Sequence, residues 1–137
     1  MTINGVIENK LRLLEKKLSE INNWDIKEYA DFSHSSLKIN AVERALTVCV
    51  EIMIDVSERI LALKKVSPKD SSVENFQELE KIKVIQSYRK YAEMIRFRNF
   101  VVHRYEYIDP QILFSIVTKR LNDFHTFIDE IRKFNKS

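Results

Sequence analysis

The sequence predicts an all-α protein, an antiparallel bundle of four main helices, and three observations support this. The 137 residues include one glycine and two prolines, so the left-handed turns that β-sandwiches and tight hairpins need are scarce. Apolar residues make up 45% of the chain and charged residues 31%, which suits a buried core with a polar surface. Apolar residues also recur at intervals of three and four, the spacing of amphipathic helices. We therefore expect one helical domain over residues 1–137.

The first helix is predicted over residues 4–22. Its apolar residues are spaced 4-3-4-3 and lie on one stripe: Ile7, Leu11, Leu14, Leu18 and Ile21. Trp24 follows as a core or hinge aromatic. Residues 25–36 are less regular and fit either a short fifth helix or a loop.

The second helix has the clearest pattern, with a stripe that runs from Ile39 to Leu63 through Val42, Leu46, Cys49, Met53, Val56 and Ile60. Ala41, Ala45, Val48 and Ile52 widen this stripe on one side. A face so wide needs more than one neighbouring helix to cover it. Coverage of part of it by a second subunit remains open.

The second half of the chain predicts two more helices. A loop around Pro68 leads to Ser71 and Glu74, whose spacing is that of a capping box. The third helix then continues without interruption through Ile95. Asp109 and Pro110 are typical of a helix start, with aspartate as the N-cap and proline in the first turn. The fourth helix continues from there through Ile131.

Several classes of protein are excluded or disfavoured by composition. A lone glycine, Gly5, cannot build a glycine-rich phosphate loop or a dinucleotide fingerprint. Glu51, Asp55 and Glu58 interrupt the most apolar stretch, so we expect no membrane span. The spacings that hold zinc or calcium are missing, and we expect no metal and no cofactor. With no secretion signal and one cysteine, the protein is expected to be soluble and cytoplasmic.

Most isolated polar residues have a plain structural interpretation. Cys49 lies on the apolar stripe of the second helix and is expected to be a buried thiol. His125 is expected at the surface or partly buried, and His34 in an exposed or capping position. Residues 81–104 are different, since they hold seven lysines and arginines but one acidic residue, Glu93. This segment is either the solvated face of a long helix or a contact for an anionic partner such as nucleic acid.

A cluster of polar and aromatic residues stands where the third helix should end, from Arg96 to Tyr107. Arg98 and His103 are five residues apart, which on an unbroken helix separates them by about 140°. They converge if the helix ends or bends near residues 100–103, or if two chains place their copies across a groove. Arginine matches phosphate oxygens and histidine transfers protons near neutral pH. Together they suffice for metal-free cleavage of RNA, in which the ribose 2′-OH attacks the adjacent phosphate. The alternative is a structural role, in which an arginine caps the helix end and the histidine lies at the surface.

At this cluster the sequence resembles the HEPN-domain ribonucleases. Arg98 to His103, followed by Tyr105, is similar to the R-x4-H-x-Y motif of HepT-like toxins. The resemblance extends over nearly the whole chain: Val42–Leu46 through Ile52–Asp55, Asn75 with Phe76 and Leu79, Ile108–Pro110, and Leu121–Phe124 with Phe127.

The resemblance implies an all-α fold and a toxin that acts as a metal-independent endoribonuclease, usually as a homodimer. It implies that Arg98 stabilises the scissile phosphate and that His103 is the general acid or base. Asn99 and Arg96 would bind or orient the RNA. The implied partner is a small nucleotidyltransferase antitoxin, which in some pairs transfers AMP to the motif tyrosine, here Tyr105. The alternative is a non-catalytic helical module that binds such a nucleotidyltransferase.

Overall fold

The computed structural model describes residues 5–104 and 108–136. For residues 103, 104 and 136 only the backbone is described. Seven α-helices lie within these ranges. The helices are α1 (Gly5–Asn23), α2 (Tyr29–Ser33), α3 (Ser36–Leu63), α4 (Ser72–Lys81), α5 (Arg89–Arg104), α6 (Pro110–Lys119) and α7 (Leu121–Lys136). The all-α fold class predicted from the sequence is confirmed, and the irregular segment 25–36 contains the short helix α2.

The helix α3 is the centre of the bundle and packs against α1, α2, α4, α5 and α6. Twelve of its residues are buried, including Val50, Ile54 and Leu61, which lie outside the predicted stripe. Of the predicted stripe, Leu63 at the end of the helix is exposed. Because helices of the same chain cover α3, its wide apolar face gives no reason to expect a second subunit there.

Two predicted helix starts are confirmed by their caps. The Ser71 hydroxyl accepts from the Glu74 backbone N–H at 3.1 Å, and the Asp109 carboxylate accepts from that of Gln111 at 2.9 Å. Each cap satisfies a backbone donor that the first helical turn leaves without a partner. Trp24, by contrast, is not a core residue, because it is 40% exposed in the turn after α1.

The prediction of an unbroken third helix is wrong, because the chain leaves the helix after Lys81 and begins α5 at Arg89. Lys83 has a left-handed backbone with φ of 64°. Its N–H donates to the Glu80 carbonyl at 3.0 Å, and that of Val84 donates to the Leu79 carbonyl at 2.9 Å. This pair of bonds is the Schellman motif, which terminates a helix.

The predicted fourth helix is also divided, into α6 and α7, with Arg120 between them. The Arg120 guanidinium contacts Glu93 of α5 at 2.6 Å and Asp123 of α7 at 3.3 Å. These ion pairs hold the junction between the two helices against α5. None of the helices in the described ranges is long and apolar enough to cross a lipid bilayer.

We expect Lys83→Gly to raise the free energy of unfolding by about 0.5–1 kcal/mol, because glycine adopts the left-handed backbone without the steric cost of a side chain. Urea unfolding followed by circular dichroism measures the change. Lys81→Gly is the control: it lies in the last turn of α4 and should lower the same free energy by about 0.5–1 kcal/mol. Destabilisation by both variants would contradict the assignment of Lys83 as the residue that terminates α4.

The chain's first and last described helices are joined by Arg132 of α7. Its two terminal nitrogens donate to the two oxygens of Glu15 at 2.8 Å each, and its Nε donates to Glu8 at 3.0 Å. The hydrogen bonds from Arg132 lower the pKa of Glu15 below its usual 4.5. A carboxyl whose pKa is lower in the folded state stabilises that state above its unfolded pKa, and this contribution is lost as the pH falls.

We therefore expect Glu15→Gln to lower the free energy of unfolding by about 1 kcal/mol or less at pH 7, since Glu15 is partly exposed and the pair is screened by solvent. The difference from wild type should shrink as the pH falls below 4.5. Urea unfolding at pH 7, 5 and 3 measures it. Glu20→Gln removes the same charge at similar exposure from α1 and tests for a general charge effect. A Glu15→Gln difference that stays constant over this range would contradict the assignment.

Candidate functional site

The helix α5 carries the candidate site, and contacts with α7 hold its first half in place. The hydroxyl of the fully buried Tyr91 donates to the Glu130 carboxylate. The second oxygen of Glu130 accepts from the Gln86 backbone N–H at 2.8 Å, just before α5 begins. Burial, followed by the contact with Glu130, raises the pKa of Tyr91, so the hydroxyl remains a donor. This contact fixes the start of α5 relative to α7.

The second half of α5 packs on α3 through buried apolar side chains. Met94, Ile95 and Phe97 are buried, and Phe100 and Val101 pack partly buried against the same core. Arg98 follows directly after Phe97 and reaches the interface between α5 and α3. Its side chain is 22% exposed, so the guanidinium is partly withdrawn from water.

Three observations, one for each nitrogen, describe the environment of the Arg98 guanidinium. Its Nη1 donates to the side-chain oxygen of Asn99 at 3.1 Å. Its Nη2 lies 3.5 Å from the Oε2 of Glu51 on α3. Its Nε is buried and meets no acceptor within residues 5–104 and 108–136. A buried donor without a partner costs about 1–3 kcal/mol, and more when it belongs to a charged group, so this arginine is not in a position that stability alone would favour.

The backbone of α5 shows how Arg98 and His103 are placed relative to each other. The helix runs without a break to Arg104, and both positions lie within it. The two positions therefore remain separated by about 140° around the helix axis. The helix does not end within residues 100–103, so within one chain its continuous turns do not bring these two positions to the same face.

The other two candidates on α5 lie in different places relative to Arg98. Asn99 contacts the Arg98 guanidinium directly. Arg96 is exposed and lies on the opposite side of the helix, since two residues correspond to about 200° of rotation. Positions 96 and 103 are instead seven residues apart, which places them within about 20° of each other around the helix axis. Arg96 therefore shares a helix face with position 103 and not with Arg98.

The basic segment 81–104 does not form one helix face, because the break after α4 divides it. Lys81 and Lys83 lie at the end of α4, where Lys81 pairs with Glu78 at 3.6 Å. Arg89, Lys90 and Arg96 lie on α5 with Arg98 and Arg104. The stripe of α5 that contains Arg89 and Arg96 also contains Glu93, which is paired with Arg120.

Other residues considered from the sequence stand as follows. Tyr105 lies outside the described residues. Cys49 is fully buried, as predicted, and burial raises its pKa to about 12, which makes it a poor nucleophile. His34 and His125 are exposed, as expected. Among the residues that the structure describes, no three His, Cys, Asp or Glu side chains are grouped so that they could hold a metal ion.

Glu51 is the contact of the candidate site that the sequence analysis missed. The sequence marks it as a charge that interrupts the apolar stretch of the second helix, and that observation served to exclude a membrane span. Its neighbours Val50 and Ile52 are buried, and such a carboxylate on a core helix has to point towards solvent or a cation. The sequence could therefore have predicted that Glu51 faces solvent or a cation. It could not have predicted that the cation is Arg98, because that depends on how α5 crosses α3.

The arrangement presents a permanently charged planar donor, held by an amide and a carboxylate, on the same helix as a histidine. A guanidinium binds phosphate oxygens and stabilises the additional negative charge of a phosphoryl-transfer transition state. Arg98 thus has the chemistry of a phosphate-binding group, and position 103 carries a residue that can transfer protons.

Comparison with known proteins agrees with this chemistry. Residues 7–131 match the family described as "Ribonuclease HepT-like". The chain is 24% identical over 131 residues to a tRNA nuclease HepT from Aphanizomenon flos-aquae, covering 94% of this chain and 89% of that protein. It is 26% identical over 135 residues to an mRNA nuclease HepT from Shewanella oneidensis, covering 95% and 98%. A solved structure of a tri-AMPylated HEPN toxin with its MNT antitoxin, from Shewanella oneidensis, superposes with a TM-score of 0.86 at 25% identity and covers 96% of this chain and 99% of the toxin.

Proposed function

The chain belongs to the HepT-like ribonuclease family, and from this premise we propose that it is the RNA-cleaving toxin of a toxin–antitoxin pair. The observation that carries the proposal is the position of Arg98. Its partly buried guanidinium is held by Asn99 and Glu51 on the helix that also bears His103. The two HepT relatives named above are a tRNA nuclease and an mRNA nuclease, so RNA is the substrate class.

The proposed reaction is a metal-independent transesterification of RNA. The ribose 2′-oxygen attacks the adjacent phosphorus, the bond from phosphorus to the 5′-oxygen breaks, and a 2′,3′-cyclic phosphate and a 5′-hydroxyl result. His103 acts as general acid or base in the transfer of the 2′-hydroxyl proton and the protonation of the leaving oxygen. Arg98 stabilises the negative charge that develops on the phosphate oxygens. DNA lacks the attacking 2′-hydroxyl and is not a substrate.

We further propose that the active site forms between two copies of the chain. The continuous helix α5 separates positions 98 and 103 by about 140°. In a two-fold symmetric dimer, Arg98 of one subunit would face His103 of the partner subunit across a cleft. Arg96 lies on the same helix face as position 103, so it would contact RNA on the opposite side of the cleft from Arg98. Arg89 and Lys90 would extend this contact along the RNA backbone.

The proposed antitoxin is a small nucleotidyltransferase, because the solved HEPN toxin that this chain resembles is tri-AMPylated and bound to an MNT antitoxin. The proposed acceptor is Tyr105, whose hydroxyl would attack the α-phosphate of ATP and release pyrophosphate. An AMP group two residues from His103 would place a negative charge and a bulky adenosine in the cleft. It would repel the RNA phosphate and exclude the substrate by size. Toxin and antitoxin would meet in the cytoplasm, where the RNA substrate is found.

We expect Arg98→Ala and His103→Ala each to reduce cleavage of total small RNA in EDTA by about 100-fold or more, since each removes a group that acts in the transition state. Gel analysis measures cleavage, and phosphorylation of the new 5′ ends by polynucleotide kinase identifies the 5′-hydroxyl product.

Matched controls are Arg12→Ala and His125→Ala, which remove an exposed arginine from α1 and an exposed histidine from α7. Both should cleave as wild type does, and circular dichroism should show that all four variants are folded. Undiminished cleavage by Arg98→Ala and His103→Ala would refute the assignment of the site. If the wild-type protein binds a nucleotidyltransferase but does not cleave RNA even when it carries no modification, the non-catalytic module is favoured instead.

The two-chain site predicts complementation between inactive variants. When Arg98→Ala and His103→Ala subunits are unfolded and refolded together in equal amounts, half of the dimers should be mixed. Each mixed dimer would contain one intact site, made of Arg98 from one chain and His103 from the other, so we expect about a quarter of the wild-type activity at statistical mixing. If each chain carried its own complete site, every site in the mixture would lack one residue and no activity would return.

A further inference from the structure

The Arg98 guanidinium is restrained at its two terminal nitrogens and not at Nε. Nη1 donates to Asn99 at 3.1 Å and Nη2 lies 3.5 Å from Glu51, whereas the buried Nε has no acceptor in the described ranges. Each terminal nitrogen of arginine carries two N–H groups. One contact at each nitrogen therefore orients the guanidinium plane and still leaves one N–H on each nitrogen for a phosphate.

The two restraints differ in how firmly they are anchored. Asn99 is the sequence neighbour of Arg98, so any movement of α5 moves both residues together. Glu51 belongs to α3, and the residues that flank it, Val50, Ile52 and Met53, are buried in the core. A functional group held from a rigid core element keeps its geometry better than one held from its own helix. Glu51 is thus the contact that fixes the guanidinium relative to the rest of the protein.

We propose that Glu51 is the positioning residue of the ribonuclease site. It holds the Arg98 guanidinium in the plane in which the remaining N–H groups receive the scissile phosphate. Glu51 acts through Arg98 and contacts neither the RNA nor the reacting atoms. This inference rests on the proposed function of Arg98 and adds to it the residue that orients the phosphate-binding group.

A stabilising role explains this contact less well than a positioning role. Arg98 and Glu51 have side chains that are 22% and 40% exposed, and the two atoms are 3.5 Å apart. Ion pairs with that exposure and distance contribute little to the free energy of unfolding. The contact between α1 and α7 has similar exposure, 26% and 42%, but Arg132 there donates to both Glu15 oxygens at 2.8 Å. The weaker geometry at Glu51 is that of a carboxylate that orients a cation without occupying all its donors.

Substitution of Glu51 should affect kcat and KM differently. In Glu51→Gln the Arg98 charge remains and a carboxylate near the RNA is lost, so RNA binding should not weaken. The guanidinium loses its charged anchor, so transition-state stabilisation should fall. We expect kcat to fall about 10-fold in Glu51→Gln, which keeps an amide oxygen as an acceptor, and about 100-fold in Glu51→Ala. KM should be unchanged or lower in both variants.

The kinetic test uses the full-length wild-type protein and a fluorescent oligoribonucleotide in EDTA, with two comparison variants. Glu58→Gln removes the same charge from the same face of α3, about two helical turns and 10 Å away, and should leave kcat and KM as in wild type. Arg98→Ala should abolish cleavage. If Arg98→Ala is inactive while Glu51→Gln and Glu51→Ala cleave as wild type or faster, the positioning role is refuted and the proposed function stands. If Arg98→Ala cleaves normally, the proposed function itself fails.

A second measurement reports the contact without any RNA. In ¹⁵N NMR spectra, hindered rotation about the Arg98 Nε–Cζ bond should give separate signals for its two terminal nitrogens in wild type and in Glu58→Gln. In Glu51→Ala these signals should merge, because the anchor on α3 is gone. Unchanged Arg98 signals in Glu51→Ala would overturn the proposal whether or not the protein cleaves RNA. Loss of kcat without the change in these signals, but with lower thermal stability, would overturn it in favour of a structural role.

Discussion

Burial of the helix α3 on several sides is the constraint from which the positions of the other helices follow. Fully burying a leucine, isoleucine or valine side chain contributes about 1.5–3 kcal/mol, whereas a partly exposed ion pair contributes about 0–1 kcal/mol. The twelve buried residues of α3 therefore outweigh the ion pairs that join the surrounding helices. Those ion pairs and hydrogen bonds fix the positions of the surrounding helices relative to one another. For example, the Tyr91–Glu130 contact aligns α5 with α7, and the Arg120–Glu93 contact holds the junction of α6 and α7 against α5.

The same constraint connects the fold to the site. Because α5 packs against α3 and buries Met94, Ile95 and Phe97 in the core, the adjacent Arg98 is brought to the α3 interface and meets Glu51 there. The opposite side of α5 carries Arg96 in solvent. One helix thus has a side committed to the core of its own subunit and a side available to another molecule. The proposed site draws one residue from each side, and for that reason we propose that it uses two copies of α5.

The features that were predictable from the sequence depend on neighbours along the chain. The 3–4 spacing identified the helices, and the Ser71 and Asp109 caps depend on residues two or three positions away. The helix breaks at Lys83 and Arg120 were missed because neither position holds the glycine or proline that usually marks one. Arg98 and His103 were identified by their motif, which resembles that of a known family. Glu51 was not, because the Arg98–Glu51 contact joins residues 47 positions apart, and no local pattern encodes how two helices cross.

The contacts between α5 and α7 also bear on the order in which the protein becomes active during synthesis. Tyr91 and Glu93 leave the ribosome well before their partners Glu130 and Arg120, and Arg132 closes α7 onto α1 only after α7 has emerged. Until then the helix that bears Arg98 lacks its anchors on α7. Because domains generally fold as units, α5 takes its final position only after α7 has emerged. A nascent ribonuclease with this arrangement is tethered to a ribosome, and surrounded by RNA, before the helix that bears Arg98 is held in place.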